Sequence, residues 1–594
     1  MTVEIGIVFS IIALAMLLFI TEKVSIDTVS ILVMVLFMVT GILTFEEGVS
    51  GFNNSATITV GSMFIISAAI FQSGALNNIN RIFLRMSKQN EFLFLLTMML
   101  FAGALSAFIN DTAVVAILMP TVIKIAKDTN ISPSKLLMPL SFGALMGGVC
   151  TLLGTSTNIL VSGIAEKHGL APFGIFEMSG MGLVFLTAGI VYMLTVGRWL
   201  TPDRPVQKDL ASNFDLGDYI TEISITDDFK DIGTSIKSSQ FFNDYEIEAL
   251  QIIRQDGELL NAYPYSVLKA GDTIRISCDK ETLKDLKNYQ GVTLKVDLKF
   301  TDKDLETKDT KLYEAVITPH SFLVDKTLKS INFRNFFQGI TVLAIRHRDD
   351  IKKTKLTDSR ISAGDVFLIR SEGKLMDKLR DRNEDMLIIS EEPSFKFNLP
   401  KMILTISIVL LVILLASLKI FPIGMAAILG VIILVLLRVL NVEEAYRSID
   451  WKVIFMLAGI LSMGVALEKT GAAALLGLFI SDHLGQFGPS VVMSSIFGIT
   501  FLVTNIMSNN ATAALLAPIA ISVSSAMGIS DRPLLMAVTF AASLSFMTPM
   551  GYQTNTMIYT PGNYKFKDYL IVGTPLNILY WIIATIAIPY FFPF

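Results

Sequence analysis

Four short polar stretches interrupt otherwise apolar sequence. They are Phe108-Ile109-Asn110-Asp111-Thr112, Gly154-Thr155-Ser156-Thr157-Asn158, Met507-Ser508-Asn509-Asn510-Ala511 and Gly551-Tyr552-Gln553-Thr554-Asn555. Each falls where a helix of the surrounding composition would be crossing lipid. Small hydroxyl and amide side chains suit neither lipid contact nor a dry core, so these stretches predict unwound helix lining a polar site.

The four form two pairs, because the chain repeats itself at an offset of 397 or 398 residues. Glu46-Glu47 recurs as Glu443-Glu444, Gly74 as Gly471, Pro120 as Pro518, Ile131-Ser132 as Ile529-Ser530, Leu136-Leu137-Met138 as Leu534-Leu535-Met536, Gly154 as Gly551 and Asn158 as Asn555. Two related membrane halves with matched breaks are the pattern of a secondary transporter whose site lies where broken helices meet.

Composition agrees with that reading. About half of the 594 residues are apolar, few are charged and the net charge is −4. Such a chain is a polytopic membrane protein without the basic surface a nucleic acid would need. Cys150 and Cys278 are its only cysteines, and His168, His320, His347 and His483 are scattered without ligand spacing, so no disulfide framework or transition-metal site is expected. The apolar run Ile5–Ile20 lacks a basic leader and a small-residue cleavage site and has a counterpart near 402–418, so it reads as a retained helix.

At roughly 20 apolar residues per crossing, the first half predicts helices near 4–21, 24–43 and 57–77, a hairpin over 92–127, a long segment near 134–165 and a helix near 175–200. The second half repeats them near 400–418, 421–440, 452–468, 489–527, 533–560 and 569–592. The arms of each hairpin read as re-entrant rather than as two full crossings, because no Trp, Tyr, Lys or Arg anchors the turn at a headgroup layer. The expected fold is therefore all-α, with ten crossings, inverted repeats and two re-entrant hairpins, 92–127 and 489–527. Five crossings per half is an odd number, so the second half is inserted upside down relative to the first. With the central insert in the cytoplasm, fifteen basic loop residues, among them Lys23, Arg81, Arg85, Lys88, Lys124, Lys127, Lys208, Lys565 and Lys567, lie inside. Only Lys167, Lys419, Lys469 and Arg532 then lie outside, which satisfies the positive-inside rule in the cell's inner membrane and puts both termini outside.

The chain thus divides into a membrane repeat over 1–201, a soluble insert in two parts over 202–294 and 295–397, and a second membrane repeat over 398–594. The insert is charged, β-branched and itself repeated at 92 to 93 residues: Leu268-Lys269-Ala270-Gly271-Asp272-Thr273-Ile274 matches Ile361-Ser362-Ala363-Gly364-Asp365-Val366-Phe367. Gln251-Ile252-Ile253-Arg254 matches Leu343-Ala344-Ile345-Arg346. Alternating runs read as strands, Gly-Asp as a turn, and Lys280–Asn288 and Glu372–Arg380 as short helices, which gives two α+β modules. The strand ending in Arg, the Ala-Gly-Asp turn, the strand and the helix resemble the TrkA C-terminal (RCK-C) domain, a regulatory module of cation channels and transporters. That resemblance implies a nucleotide or ion ligand, with a ligand-free dimerising scaffold as the other reading. Arg254, Arg275, Arg346 and Arg370 are the candidates for an anionic ligand. No Gly-x-Gly-x-x-Gly fingerprint precedes the modules.

At each break a helix end presents carbonyls or amides to the same polar spot. Asn110, Asp111, Thr112, Thr155 and Asn158 can supply oxygens for one small hard cation such as sodium, and Asn509, Asn510, Thr554 and Asn555 for a second. Helix N-termini with the hydroxyls and amides of Asn110, Thr112, Thr155, Ser156, Thr157, Ser508, Asn509 and Thr554 can hold an anion between them. The predicted bilayer core contains no Lys or Arg to neutralise that anion, so bound cations and helix dipoles would do so, with the cation binding first. Asp111 is the one carboxylate expected deep in the membrane, where such residues mark ion or proton paths; the plainer reading is that it caps the second hairpin helix.

The hairpins with Pro120 and Pro518, with Gly154-Thr-Ser-Thr-Asn158 and Thr548-Pro549-Met550-Gly551, resemble the divalent anion–sodium symporter family within the ion transporter superfamily. The resemblance implies symport of sodium with dicarboxylate, citrate or sulfate, an elevator motion and a homodimer; the tip carboxylate Asp111, which departs from the family pattern, could permit proton coupling. Family hairpin tips usually read Ser-Asn-Thr, whereas this chain has Asn110-Asp111-Thr112 and Ser508-Asn509-Asn510. Members with inserted TrkA C-terminal domains resemble the sulfate branch, so sulfate is expected before di- or tricarboxylates. A sodium/proton antiporter of the same superfamily and an anion sensor signalling through the insert are the competing readings. No enzymatic constellation and no cofactor beyond the coupling ion are expected.

Overall fold

The computed structural model describes residues 2–21, 24–73, 90–204 and 399–594, and within the insert 220–245, 247–278, 282, 285–286, 289–295, 310–319, 321–337, 340–347, 350–351, 356–372 and 385–389. Gly74, Lys23, Arg81, Arg85, Lys88, Lys208, His320 and most of the expected helices over 280–288 and 372–380 lie outside the described residues. The chain forms two units, Met1–Asp203 with Ser394–Ile558 and Lys565–Phe594, and Arg204–Pro393 with Tyr559–Tyr564.

The first unit is helical. Repeat 1 contains α1 (Val3–Thr21), α2 (Ile26–Val39), α3 (Phe45–Val49), α4 (Ser55–Gln72), α5 (Glu91–Ser106), α6 (Asp111–Thr129), α7 (Pro133–Gly148), α8 (Ser156–Lys167) and α9 (Ser179–Tyr192), which continues to Leu200. Repeat 2 contains α10 (Leu399–Ser417), α11 (Ile423–Leu436), α12 (Val442–Ser448), α13 (Trp451–Lys469), α14 (Ala472–Leu484), α15 (Pro489–Thr504), α16 (Asn509–Met527), α17 (Asp531–Ser543), α18 (Gln553–Tyr559) and α19 (Phe566–Phe591). Among the described residues, five helices are long and apolar enough to cross a membrane: 179–200, α10, α13, α16 and α19. Shorter apolar helices cover 3–19, 27–39, 91–106, 423–436 and 489–504. Length alone therefore identifies fewer spans than the ten expected from hydropathy, because several apolar segments end in turns or breaks before reaching 18 residues.

The repeat is visible in local structure. Glu46-Glu47 and Glu443-Glu444 recur because each supplies a capping-box glutamate. Glu47 accepts from the backbone N–H of Thr44 at 2.8 Å, and Glu444 accepts from that of Asn441 at 2.8 Å. Each box satisfies otherwise orphaned amides at a short helix start. At the far ends of α6 and α16 the equivalent residues Asn130 and Gly528 both take positive φ, +53° and +66°, and these are the residue types that tolerate a left-handed cap.

Packing crosses between the halves. α2 lies against α13, and its repeat counterpart α11 lies against α4, the counterpart of α13. The same reciprocity holds within halves, where α5 and α6 pack on α7 as α15 and α16 pack on α17. The α2–α13 contact is a close backbone approach: a Cβ at Gly459 would lie 2.9 Å from the Cβ of Ser30 and nearer still to that residue's carbonyl. Without a hydrophobic difference between lipid and side chain, such small-residue contacts are what hold helices together in a bilayer.

The segments 134–165 and 533–560 are each two helices, α7 with α8 and α17 with α18, and the polar stretches are the breaks between them. The unanticipated helix is α14. It is only 13 residues long, and its Ala- and Gly-rich face packs on α16, where a Cβ at Gly477 would lie 2.9 Å from the Ser522 carbonyl.

The second unit holds two antiparallel five-stranded sheets. The first has β1 (Ile220–Ile225), β2 (Glu248–Ile253), β3 (Leu259–Asn261), β4 (Thr273–Ser277) and β5 (Val292–Lys295), in the order β3-β2-β4-β1-β5. The second has β6 (Thr310–Ile317), β7 (Ile340–His347), β8 (Asp350–Ile351), β9 (Val366–Glu372) and β10 (Met386–Ile388), in the order β10-β6-β9-β7-β8. Read from the other edge, the second order repeats the first. Both have a register shift at the same place, between Ala249 and Gln251 and between Val342 and Ala344. In each Ala-Gly-Asp turn the glycine takes positive φ, and the aspartate accepts from the backbone N–H three residues back, Lys269 or Ser362, at 2.9 Å. Asp272 pairs with Arg254, and Asp365 pairs with His347 at 2.5 Å.

The four candidate arginines do not converge. Arg275 binds Glu222 and Gln251, both at 2.8 Å. Arg370 donates to the Leu250 carbonyl at 2.8 Å and to Asn261 Oδ1 at 2.6 Å, which ties the second sheet to the first. Burial lowers the pKa of the Arg346 guanidinium, and Glu314 partly offsets this.

Gly459→Val forces α2 and α13 apart and costs about 1–3 kcal/mol. A lower thermal midpoint of the detergent-solubilised protein reads this, and Gly6→Val, where an added Cβ meets open space, leaves the midpoint unchanged.

Candidate functional site

All four polar stretches meet. α6, α8 and α16 begin at Asp111, Ser156 and Asn509, with Asn110, Thr155 and Ser508 at their N-cap positions, and α18 begins at Gln553. Asn110 Oδ1 accepts from Thr112 N at 2.9 Å and Ser508 Oγ from Ala511 N at 3.4 Å, so both hairpin tips use the first polar residue as a cap.

The tips bond across the repeat rather than within it. Thr112 Oγ1 donates to Gln553 Oε1 at 3.0 Å. In the equivalent place, Asn510 Nδ2 donates to Ser156 Oγ at 3.1 Å, and Thr157 Oγ1 donates to Asn510 Oδ1 at 3.0 Å. Thr155 and Tyr552 are themselves repeat equivalents, and their hydroxyls lie 2.9 Å apart. Two equivalent residues can touch only across the pseudo-twofold axis, so this pair marks the centre of the site.

Asp111 lies beside that centre and is 1% exposed. Its carboxylate accepts from Ser106 Oγ at 2.6 Å and from the Tyr552 hydroxyl. Asn509, its equivalent, is also buried, and its Oδ1 accepts from Thr504 Oγ1 at 3.0 Å, where Thr504 is the equivalent of Ser106. The two halves therefore share a geometry and differ by one charge. Among the described residues, no Lys, Arg or His forms an ion pair with Asp111. Leaving a carboxylate charge buried without a partner costs several kcal/mol, and two hydroxyl donors at about 1.5–3 kcal/mol each offset only part of that.

Asn158 and Asn555 hold the breaks closed. Asn158 Nδ2 donates to the carbonyls of Gly148 at 3.0 Å and Thr151 at 2.8 Å. Asn555 Nδ2 reaches the equivalent carbonyls of Ser545 at 3.0 Å and Thr548 at 3.4 Å. These four carbonyls lie at the breaks, and each keeps a second lone pair. The amide oxygens meet hydroxyls. Asn555 Oδ1 accepts from Ser141 Oγ at 2.8 Å, which also lies 2.9 Å from Thr554 Oγ1, and Asn158 Oδ1 lies 3.5 Å from Ser543 Oγ.

The site is layered. Asp111, Thr155, Thr157, Asn158, Asn509, Thr554 and Asn555 are buried, whereas Asn110, Ser156, Ser508 and Asn510 are half-buried and Gln553 is exposed. Sequence reasoning missed Ser106, Ser141, Thr504, Tyr552 and Gln553. The offset could have found Ser106 and Thr504, which precede the two tips by five residues in both halves. Ser141 carries no such signal.

Broken helices meeting at a polar layer inside an apolar helical unit define a multi-pass membrane transporter. The chain belongs to the citrate transporter family, whose sequence profile matches residues 16–532. It is 36% identical to an uncharacterized transporter of Synechocystis over 99% of this chain and 96% of that one. It is 30% identical to the uncharacterized transporter YfbS of Escherichia coli over 99% of each chain. It is 21% identical to sodium/sulfate cotransporter 2 of Chlamydomonas reinhardtii over 92% of this chain and 85% of the relative. The family and these relatives are transporters, not enzymes.

Asn555→Ala leaves two buried carbonyls without their donor, a cost of about 1–3 kcal/mol. It lowers the thermal midpoint, and Asn555→Asp, which also lacks the N–H, does the same. Asn510→Ala at the half-buried rim leaves the midpoint unchanged.

Proposed function

We propose that the protein is a secondary active symporter that carries a small divalent anion, sulfate before di- or tricarboxylates, into the cell with sodium. The observation that carries this reading is the convergence of three long helix N-termini on a hydroxyl- and amide-lined layer that holds one carboxylate and no ion-paired base. Helix N-termini favour an anion. An anion of charge −2 beside Asp111 requires cations, which gives obligatory coupling with the cation bound first. The relative named a sodium/sulfate cotransporter supports the substrate class, and the family description supports citrate as its competitor.

In this reading the first cation site draws on Asn110, Asp111, Thr112, Thr155 and Asn158, and the second on Asn509, Asn510, Thr554 and Asn555. The anion is held by Asn110, Thr112, Thr155, Ser156, Thr157, Ser508, Asn509 and Thr554. The hairpins are re-entrant, and the unit that carries them moves as an elevator within a homodimer. The insert is cytoplasmic, its sheets are TrkA-C-like regulatory modules open to a nucleotide or ion, and both termini lie outside. A sodium/proton antiporter is the second reading, favoured by the burial of Asp111.

Uptake of radiolabelled sulfate and citrate into proteoliposomes tests this. An inward sodium gradient drives sulfate accumulation, and a proton gradient alone drives less. Sodium-driven proton movement that needs no anion would establish the antiporter instead. Asp111→Asn keeps the Ser106 and Tyr552 contacts in reach but removes the charge. It lowers sodium-driven sulfate uptake at least about tenfold while the thermal midpoint stays near wild type.

A further inference from the structure

The two halves differ in bulk at their centre. Thr155 and Tyr552 occupy equivalent positions and face each other across the pseudo-twofold axis at 2.9 Å, one with a three-heavy-atom side chain and the other with a phenol. Thr155 is buried, 4% exposed. Tyr552 is half-buried, next in sequence to the exposed Gln553, and its hydroxyl reaches Asp111 and Thr155 in the buried layer. A threonine at 552, as the repeat would have it, could not cover that depth. Asp111 and Thr155 would then face the opening, and the volume now filled by the ring would join the polar layer.

We propose that Tyr552 is the specificity-determining residue of the site. Its ring fills the space an extended carboxylate would need and leaves room only for a compact tetrahedral dianion, while its hydroxyl stays in the layer as a donor. The assignment rests on the anion-symport reading and deepens it. The half-buried or exposed residues at the rim of the polar layer, Ser156, Ser508, Asn510 and Gln553, are small or flexible, so we place the size limit on the one aromatic side chain among them. Discrimination by the shape of a pocket is worth about ten- to two-hundredfold, and removing the ring forfeits that factor.

The test is sodium-driven uptake of radiolabelled sulfate and citrate by the full chain in proteoliposomes, scored as the citrate-to-sulfate ratio of initial rates. Wild type gives a low ratio. Tyr552→Thr raises it about tenfold or more, chiefly by gaining citrate. Tyr552→Phe keeps the ring, so its ratio stays at the wild-type value while both rates fall with the lost hydroxyl. A general structural defect would lower both rates in every variant without moving the ratio. If Tyr552→Thr does not elute as folded protein, Tyr552→Leu, which retains apolar packing but lacks the ring's reach, is scored in the same way. Sulfate transport by wild type with an unchanged ratio in the ring-deleted variant overturns the role of Tyr552 and leaves the symport reading standing. A ratio raised equally by Tyr552→Phe overturns it as well. Wild-type vesicles that accumulate neither anion overturn the symport reading, and the inference with it.

Discussion

Everything at the centre of this protein depends on how broken helices satisfy their own backbone. An unpaired peptide group in an apolar surround costs several kcal/mol, and each half exposes two such carbonyls where its second helix pair is interrupted. One asparagine per half answers both, Asn158 for Gly148 and Thr151 and Asn555 for Ser545 and Thr548. With the amide donors occupied, the asparagine oxygens act as acceptors, Asn555 from Ser141 and Asn158 from Ser543. The same bonds that make the break tolerable therefore make it an oxygen-lined site.

The tips of the hairpins complete the site from the opposite halves. Thr112 meets Gln553 and Asn510 meets Ser156, so neither repeat builds a polar layer alone. Duplication supplies the frame, and the departures from it supply the chemistry. Asp111 stands where the other half has Asn509, and Tyr552 where the other has Thr155. The first departure places one charge in a layer otherwise built of neutral donors and acceptors. The second places that charge against a phenol and closes it from the rim.

Much of this was legible in sequence, for identifiable reasons. The offset between Glu46-Glu47 and Glu443-Glu444 persisted because the capping boxes persist, and the polar stretches stood out because their neighbours are apolar. The 92-residue echo in the insert predicted two α+β modules, and the strand order that the two sheets share is a finding of the structure. What could not be read were relationships set by three-dimensional distance. Asp111 and Tyr552 are 441 positions apart, and no local pattern joins them. The direction of the Asn158 amide is a matter of rotamer, which separates a staple from a simple cation ligand. The helix α14 escaped notice because its Ala- and Gly-rich sequence is short and ends in Ser481-Asp482-His483, and its place is decided by the close approach to α16. The four arginines of the insert looked alike in sequence, yet each is engaged by its own surroundings.

The account stands or falls on whether a cation completes the anion site. The most direct measurement is calorimetric titration of the purified, detergent-solubilised protein with sulfate at a series of sodium concentrations, with choline holding ionic strength constant. Linkage predicts that the apparent Kd for sulfate falls about tenfold for each tenfold rise in sodium, per sodium bound together with the anion. A sulfate affinity that does not change with sodium would contradict it.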